Sequence, residues 1–174
     1  MNSNEEVMTK QFLAFRLAGE EYAIPVLNVR EIVQYGVVTC VPNMPASVRG
    51  IMNLRGSVLP VVDLGQKLGQ PETPPGKHTC IIVVELSGEN QVLGVIADSV
   101  SEVIELAASE IGPPPPLASG PKMRYLAGLG KVGDRFVLVL DVARALSVEE
   151  LLAMAECVDH VSEPPDATAA AAAN

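Results

Sequence analysis

Aromatic residues are scarce: the 174-residue chain has no tryptophan, three tyrosines and three phenylalanines, so any core it builds must be mainly aliphatic. Cysteine is scarce as well. Cys40, Cys80 and Cys157 are odd in number and far apart, which excludes a disulfide framework and a C-x-x-C ligand pair. They read as three buried or half-buried thiols in a reducing compartment. The two histidines, His78 and His160, have no Cys or Asp partner at ligand spacing, so neither a metal nor a cofactor is expected. Basic residues are outnumbered, 12 against 21 acidic ones, and the net charge of −9 repels a nucleic-acid backbone and an anionic bilayer alike. No core-like apolar run approaches the roughly 20 residues that span a membrane. The opening MNSNEEVMTKQ lacks the apolar stretch of a secretory signal or anchor. The expectation is a cytoplasmic protein with no nucleic-acid partner and no direct membrane insertion.

What the chain does have is apolar residues in short, punctuated runs. Hydrophobic residues make up 48% and charged ones 19%, outside the disordered class, and a chain this long buries about 70% of its unfolded surface. Gln11 to Leu17 and Tyr22 to Pro25 flank AGEE, and Cys80 to Leu86 and Gln91 to Ala97 flank SGEN. Each pair reads as a β-hairpin. Val58 to Asp63 and Arg135 to Asp141 are equally β-rich and follow the turn pairs Arg55-Gly56 and Gly133-Asp134. Val26 to Val33 fits both a helical and a strand period, with strand favoured. Pro71 to Lys77 and Gly112 to Pro121 read as loops, the second carrying the polyproline run Pro113 to Pro116. Ser147 and Glu150 have the spacing of a capping box, which opens a helix over 147–157. The remaining 158–174 is acidic and alanine-rich and is expected to be disordered.

GLGKVG, Gly128 to Gly133, has the glycine spacing of a dinucleotide loop. Such a loop needs a helix directly after it and an acid about 20 residues on. A strand follows, and position 153 is alanine, so the glycines mark a turn and the dinucleotide-binding enzyme is the disfavoured alternative. No serine or cysteine sits in a nucleophile elbow. The acid pairs Glu20-Glu21 and Glu149-Glu150 read as solvated or dipole-related. No catalytic residues are expected.

An internal repeat organises the rest. Shifted by 78 positions, GIMNLRGSVLPVVDLGQKL (50–68) falls without a gap on GLGKVGDRFVLVLDVARAL (128–146), matching Gly50 with Gly128 and Asp63 with Asp141. FLAFRLAGE from Phe12 matches IIVVELSGE from Ile81 at an offset of 69, and VREIV from Val29 matches VSEVI from Val100 at 71. Two halves follow, about 11–70 and 78–146, each with about five short strands. Small barrels are expected, since closure removes sheet edges.

The segments EEYAIPVLNVREIV, VRGIMNLRGSVLPVVDL, VLGVIADSVSEVI and YLAGLGKVGDRFVLVLDV resemble the CheW family of bacterial chemotaxis coupling proteins, over about residues 9–157. The resemblance implies a mainly β fold of two stacked five-stranded SH3-like barrels with a C-terminal helix. It implies a non-catalytic adaptor joining the cytoplasmic tip of chemoreceptors to the regulatory domain of the histidine kinase CheA in receptor arrays. The same role in a pathway controlling pili or biofilm is the alternative. Carried over by position, the partner-binding residues are Val26, Val29, Glu31 and Arg55. An Arg55–Glu31 pair serves as an interface fork, as an internal tie between strands, or as both. Gly50, Asn53, Gly56, Gly128 and Gly133 are assigned to structural turns.

Overall fold

The computed structural model describes residues 9–68, 74–86, 91–113 and 125–145, together with Glu150. The strands run β1 (Thr9–Leu17), β2 (Glu20–Pro25), β3 (Val29–Gln34), β4 (Val48–Leu54), β5 (Ser57–Val62), β6 (Cys80–Leu86), β7 (Gln91–Ala97), β8 (Ser99–Ala107), β9 (Ile111–Gly112), β10 (Leu126–Val132) and β11 (Arg135–Leu140). One-turn helices α1 (Leu64–Lys67) and α2 (Val142–Ala145) follow β5 and β11. The ambiguous segment divides into both of its readings: a 3-10 turn, Val26–Asn28, and then β3. The helix expected over 147–157 lies outside the described residues except for Glu150, which is helical. The tail 158–174, the SGEN turn at 87–90 and Pro114 to Pro116 also lie outside them.

The strands form two sheets. One has the order β8-β1-β2-β11-β10-β9, the other β3-β6-β7-β5-β4. These sheets are not the two halves of the repeat. The first hairpin, β1–β2, joins the second-half strands, while β6–β7 joins the first-half strands. The matching contacts are parallel pairs, β11 with β2 and β5 with β7. The connections require this exchange. Only three residues separate β2 from β3, and only Asp98 separates β7 from β8. Kept within its own half, β3 would lie antiparallel to β1 and so parallel to β2, a connection that needs a dozen or more residues.

Side chains are buried on both faces of each sheet, which is why β6 (CIIVVEL) and β7 (QVLGVIA) read as continuous apolar runs rather than alternating ones. Between the sheets lies a core that includes Leu13, Phe15, Tyr22, Ile82, Val95 and Leu140. Phe12, Ile104 and Val137 fill the far side of the six-stranded sheet, and Leu59, Val61 and Ile81 that of the five-stranded sheet. Both sheets are rolled around these outer cores. In the six-stranded sheet β8 touches β10, four places along, where a flat sheet would hold them roughly 19 Å apart.

The expected closed five-stranded barrels are corrected in two respects: among the described residues the sheets have six and five strands, and neither closes its hydrogen-bonded order. The edges of the five-stranded sheet are joined by side chains instead, and a bridge between Thr39 and Ile51 borders β4.

The repeat's matched residues have matched jobs. Asp63 caps α1, its side chain accepting from the Gly65 amide at 3.0 Å, and Asp141 accepts from the Arg144 amide at 3.2 Å. Gly50 and Gly128 do not sit in turns as assigned but at bulges inside β4 and β10. A Cβ at Gly50 would lie 2.2 Å from the Thr39 carbonyl oxygen, and one at Gly128 2.8 Å from that of Gly112. A neighbouring backbone crosses at both places, and only glycine leaves it room.

Candidate functional site

The 3-10 turn is held between the sheets. Pro25 leads into it with extended backbone, Val26 and Val29 are half-buried against the inter-sheet core, and the Asn28 side chain donates to the Glu85 carbonyl of β6 at 3.1 Å. A bulge between Val29 and Glu31 then places Glu31 on the side of β3 that faces the outer core. Its partner comes from the opposite edge of the same rolled sheet. Arg55, in the β4–β5 turn, donates through both terminal nitrogens to the two Glu31 oxygens, at 2.8 and 2.5 Å. The pair therefore spans the seam that the backbone leaves open.

The backbone of Arg55 is unusual. Its φ is +51°, in the left-handed region that a residue with a Cβ enters at an energetic cost, whereas its repeat mate Gly133 adopts +60° freely. Asn53 supports the turn, its Oδ1 accepting from the Gly56 amide at 2.8 Å, and Gly56 has φ +86°. An arginine thus occupies a position whose backbone favours glycine. Its side chain is 72% exposed, so packing does not explain its presence.

The second half offers a contrast. Glu102 is the repeat mate of Glu31, and it too meets an arginine, Arg135, at 2.5 Å. Arg135 also pairs with Glu21 of β2 at 2.9 Å, so two carboxylates tie its fork within the fold. Among the described residues the corresponding tie for Arg55 is Glu31 alone, which occupies two of five guanidinium donors.

The bond from Arg55, with a smaller opposing effect of desolvation, holds the Glu31 carboxyl below its ordinary value of 4.5, and the same bond raises Arg55. A carboxyl depressed in the folded state contributes stability above its unfolded value, and this is lost as pH falls through the lower, folded value. The pair is solvent-exposed and screened by salt, so the contribution to stability is small. The expected result is an NMR titration of the Glu31 side chain with its midpoint below 4.5, returning to the ordinary carboxylate range in Arg55→Gly. An unchanged midpoint in that variant would remove Arg55 as the cause.

Other sequence expectations are revised. Cys40 is exposed rather than buried, since its short segment runs along the outside of β4; Cys80 is half-buried, and burial raises its thiol pKa. Cys157 lies outside the described residues. GLGKVG is the strand β10 running into the turn at Gly133, not a phosphate loop. Glu150, one of the acids read as solvated or dipole-related, is 5% exposed. It accepts from the Ser47 hydroxyl and the Lys67 ammonium, and Lys67 also lies 5.4 Å from the centre of the Tyr125 ring. Sequence reasoning missed this cluster, whose members are 83 and 103 positions apart. It also missed Leu27, the exposed middle of the 3-10 turn, although an apolar residue between two half-buried valines was visible in the chain.

Among the described residues no group of three or more His, Cys, Asp or Glu is placed to hold a metal ion, and no helix is long and apolar enough to cross a membrane. What the site presents is an exposed arginine fork in the β4–β5 turn, held by Glu31 of β3, with Val26 and Val29 half-buried ahead of and at the start of that strand, a surface of the kind that docks other proteins.

The comparisons specify the family. The CheW-like domain family matches residues 11–150. The chain is 38% identical to Chemotaxis protein CheW of Klebsiella aerogenes over 84% of its own length and 87% of that protein's. It is 39% identical to Chemotaxis protein CheW of Helicobacter pylori, over 82% and 84%. The crystal structure of scaffolding protein TtCheW from Thermoanaerobacter tengcongensis superposes with a TM-score of 0.74 at 33% identity, covering 82% of this chain and 96% of that one. The chain belongs to the CheW family and is a chemotaxis coupling adaptor.

Proposed function

We propose that this adaptor works in the cytoplasm without chemistry of its own, joining the cytoplasmic tips of chemoreceptors to the regulatory domain of the histidine kinase CheA within membrane-associated arrays. Val26, Val29, Glu31 and Arg55 form its receptor contact, with Asn53 and Gly56 shaping the turn that presents the arginine. The observation that carries this reading is Arg55 itself. A strained backbone position that the other half fills with Gly133 is given an arginine whose fork is open to solvent. Strain retained for a side chain whose one ion pair is too exposed to add much stability is a signature of a functional position.

Glu31 holds the guanidinium in place, so less conformational freedom is lost when a partner carboxylate arrives. Hydrophobic contact from the flanking valines supplies affinity, while the charged pair supplies selectivity. The test is assembly from purified parts. Mixed with a soluble receptor signalling-tip fragment and the kinase regulatory domain, the chain is expected to carry all three into one peak on size exclusion. Separate elution of receptor and kinase fragments at micromolar concentrations would overturn the reading.

A further inference from the structure

Each half of the repeat passes its chain from one sheet to the other through a short crossover, and the two crossovers are latched differently. Aligned by the repeat, Leu27 and Asn28 match Asp98 and Ser99, and Glu85 matches Arg16. In the second half the backbone makes the passage. The Asp98 amide donates to the Arg16 carbonyl at 2.8 Å, and β8 begins at once with Ser99 opposite Arg16 in the ladder.

The first half does otherwise at the matching carbonyl. Its ladder ends with Val29 opposite Val84, and the residue before, Asn28, already belongs to the 3-10 turn. Here the side-chain amide of Asn28 donates to the Glu85 carbonyl at 3.1 Å. A primary amide carries the same kind of donor as the main chain, so it takes the place of the next ladder bond while the backbone turns away. The turn is closed by the Val29 amide, which donates to the Val26 carbonyl. Arg30 meets the other end of Glu85, Nε to carboxylate at 2.8 Å, but with side chains 56% and 40% exposed this pair adds little.

We propose that Asn28 is the positioning residue of the receptor contact: by replacing a ladder bond at Glu85 it lets 26–28 leave the sheet as a turn and holds Val26 and Val29 in the arrangement a receptor meets. The inference rests on the receptor-coupling function proposed above. Asn28 itself need touch no partner. Its contribution is preorganisation, because a segment already fixed loses less freedom on binding.

Two measurements on the full chain test it: amide hydrogen exchange read by NMR, and calorimetric titration of a soluble receptor signalling-tip fragment and, separately, of the kinase regulatory domain. In Asn28→Ala the Val29 amide is expected to exchange about fivefold faster with the β6–β7 ladder unchanged, and receptor affinity to fall about fivefold with kinase affinity unchanged. Asn28→Asp keeps the shape but turns the donor into an acceptor, and is expected to lose at least as much. Glu85→Gln removes the Arg30 pair and keeps the carbonyl, and is expected to stay within about twofold of wild type. Wild-type exchange at Val29 in Asn28→Ala overturns the latch. Faster exchange with wild-type receptor affinity overturns the positioning role and leaves the coupling function standing. Equal losses for receptor and kinase make Asn28 a general support of the fold and overturn the role as well. Absence of receptor binding by the wild-type chain overturns the coupling function and the positioning role with it.

Discussion

Glu150→Ala is expected to lower the free energy of unfolding by about 3 kcal/mol, because it leaves a largely buried ammonium, 15% exposed, without its charge partner. For a chain of this size that is a fall in melting temperature of about 10 °C. The reasoning starts from burial. Glu150 is 5% exposed and accepts from both Ser47 and Lys67. Its carboxylate therefore ties residue 150 to α1 and to the approach to β4. With alanine in its place, Lys67 keeps the face of Tyr125, but a ring quadrupole offsets only part of the desolvation of an ammonium.

Glu150→Gln preserves the shape and an acceptor for Ser47 and is expected to fall between wild type and alanine. The double change Lys67→Met with Glu150→Leu removes both charges and is expected to recover most of the loss, since an apolar pair of similar volume commonly replaces a buried ion pair without penalty. Urea denaturation followed by circular dichroism measures all three variants. A loss below about 1 kcal/mol for Glu150→Ala, the range of exposed pairs, would show the cluster to be solvated.

Arg55→Gly is expected to separate stability from function in the opposite sense. Affinity for the receptor tip falls about thirty-fold or more, the effect of removing a hot-spot arginine. The thermal midpoint stays close to wild type or rises. Glycine adopts the turn's positive φ without a Cβ, as Gly133 does in the second half, and the lost ion pair is too exposed to matter much for folding. Arg55→Ala is the companion. It loses the same side chain but keeps the backbone strain, so it is expected to bind as weakly as glycine and melt at a lower temperature.

Arg55→Glu adds repulsion toward Glu31 and is expected to bind most weakly of the three. Were the pair only a tie across the seam of the five-stranded sheet, all three variants would melt early and receptor affinity would fall only as folding failed. Wild-type affinity in folded Arg55→Gly would remove the arginine from the interface.

The candidate site was partly legible because its residues lie in distinctive local sequence. Arg55 stands in NLRG and Glu31 in VREIV, and the repeat exposes Arg55 by pairing it with a glycine. That the two residues meet was an expectation drawn from family resemblance; the geometry makes them partners by rolling the sheet until its edges touch. Glu150 shows the converse. Its side chain accepts from Lys67 and Ser47, which are distant in sequence and meet it only in the fold, while the helix-start role with Ser147 lies outside the described residues. Cys40 was placed inside on composition alone, but its segment borders β4 from outside. Gly50 and Gly128, assigned to turns, sit at bulges inside strands because a neighbouring backbone crosses there, which is a tertiary fact.

By itself the sequence determined the elements and their duplication. Hydrophobic period, turn residues and the 78-residue offset are local or repeating properties, and they fix which stretches become strands, where hairpins turn, and that two related sheets result. The pairing of hairpins with sheets was left undecided, because β1–β2 and β6–β7 carry the same pattern and either suits either sheet. Only the tertiary structure decided it. With three residues between β2 and β3 and one between β7 and β8, the chain cannot return to lay a parallel strand in the sheet it has just left. Each half therefore gives its hairpin to the other, and the inter-sheet core on which Val26 and Val29 rest is built from both.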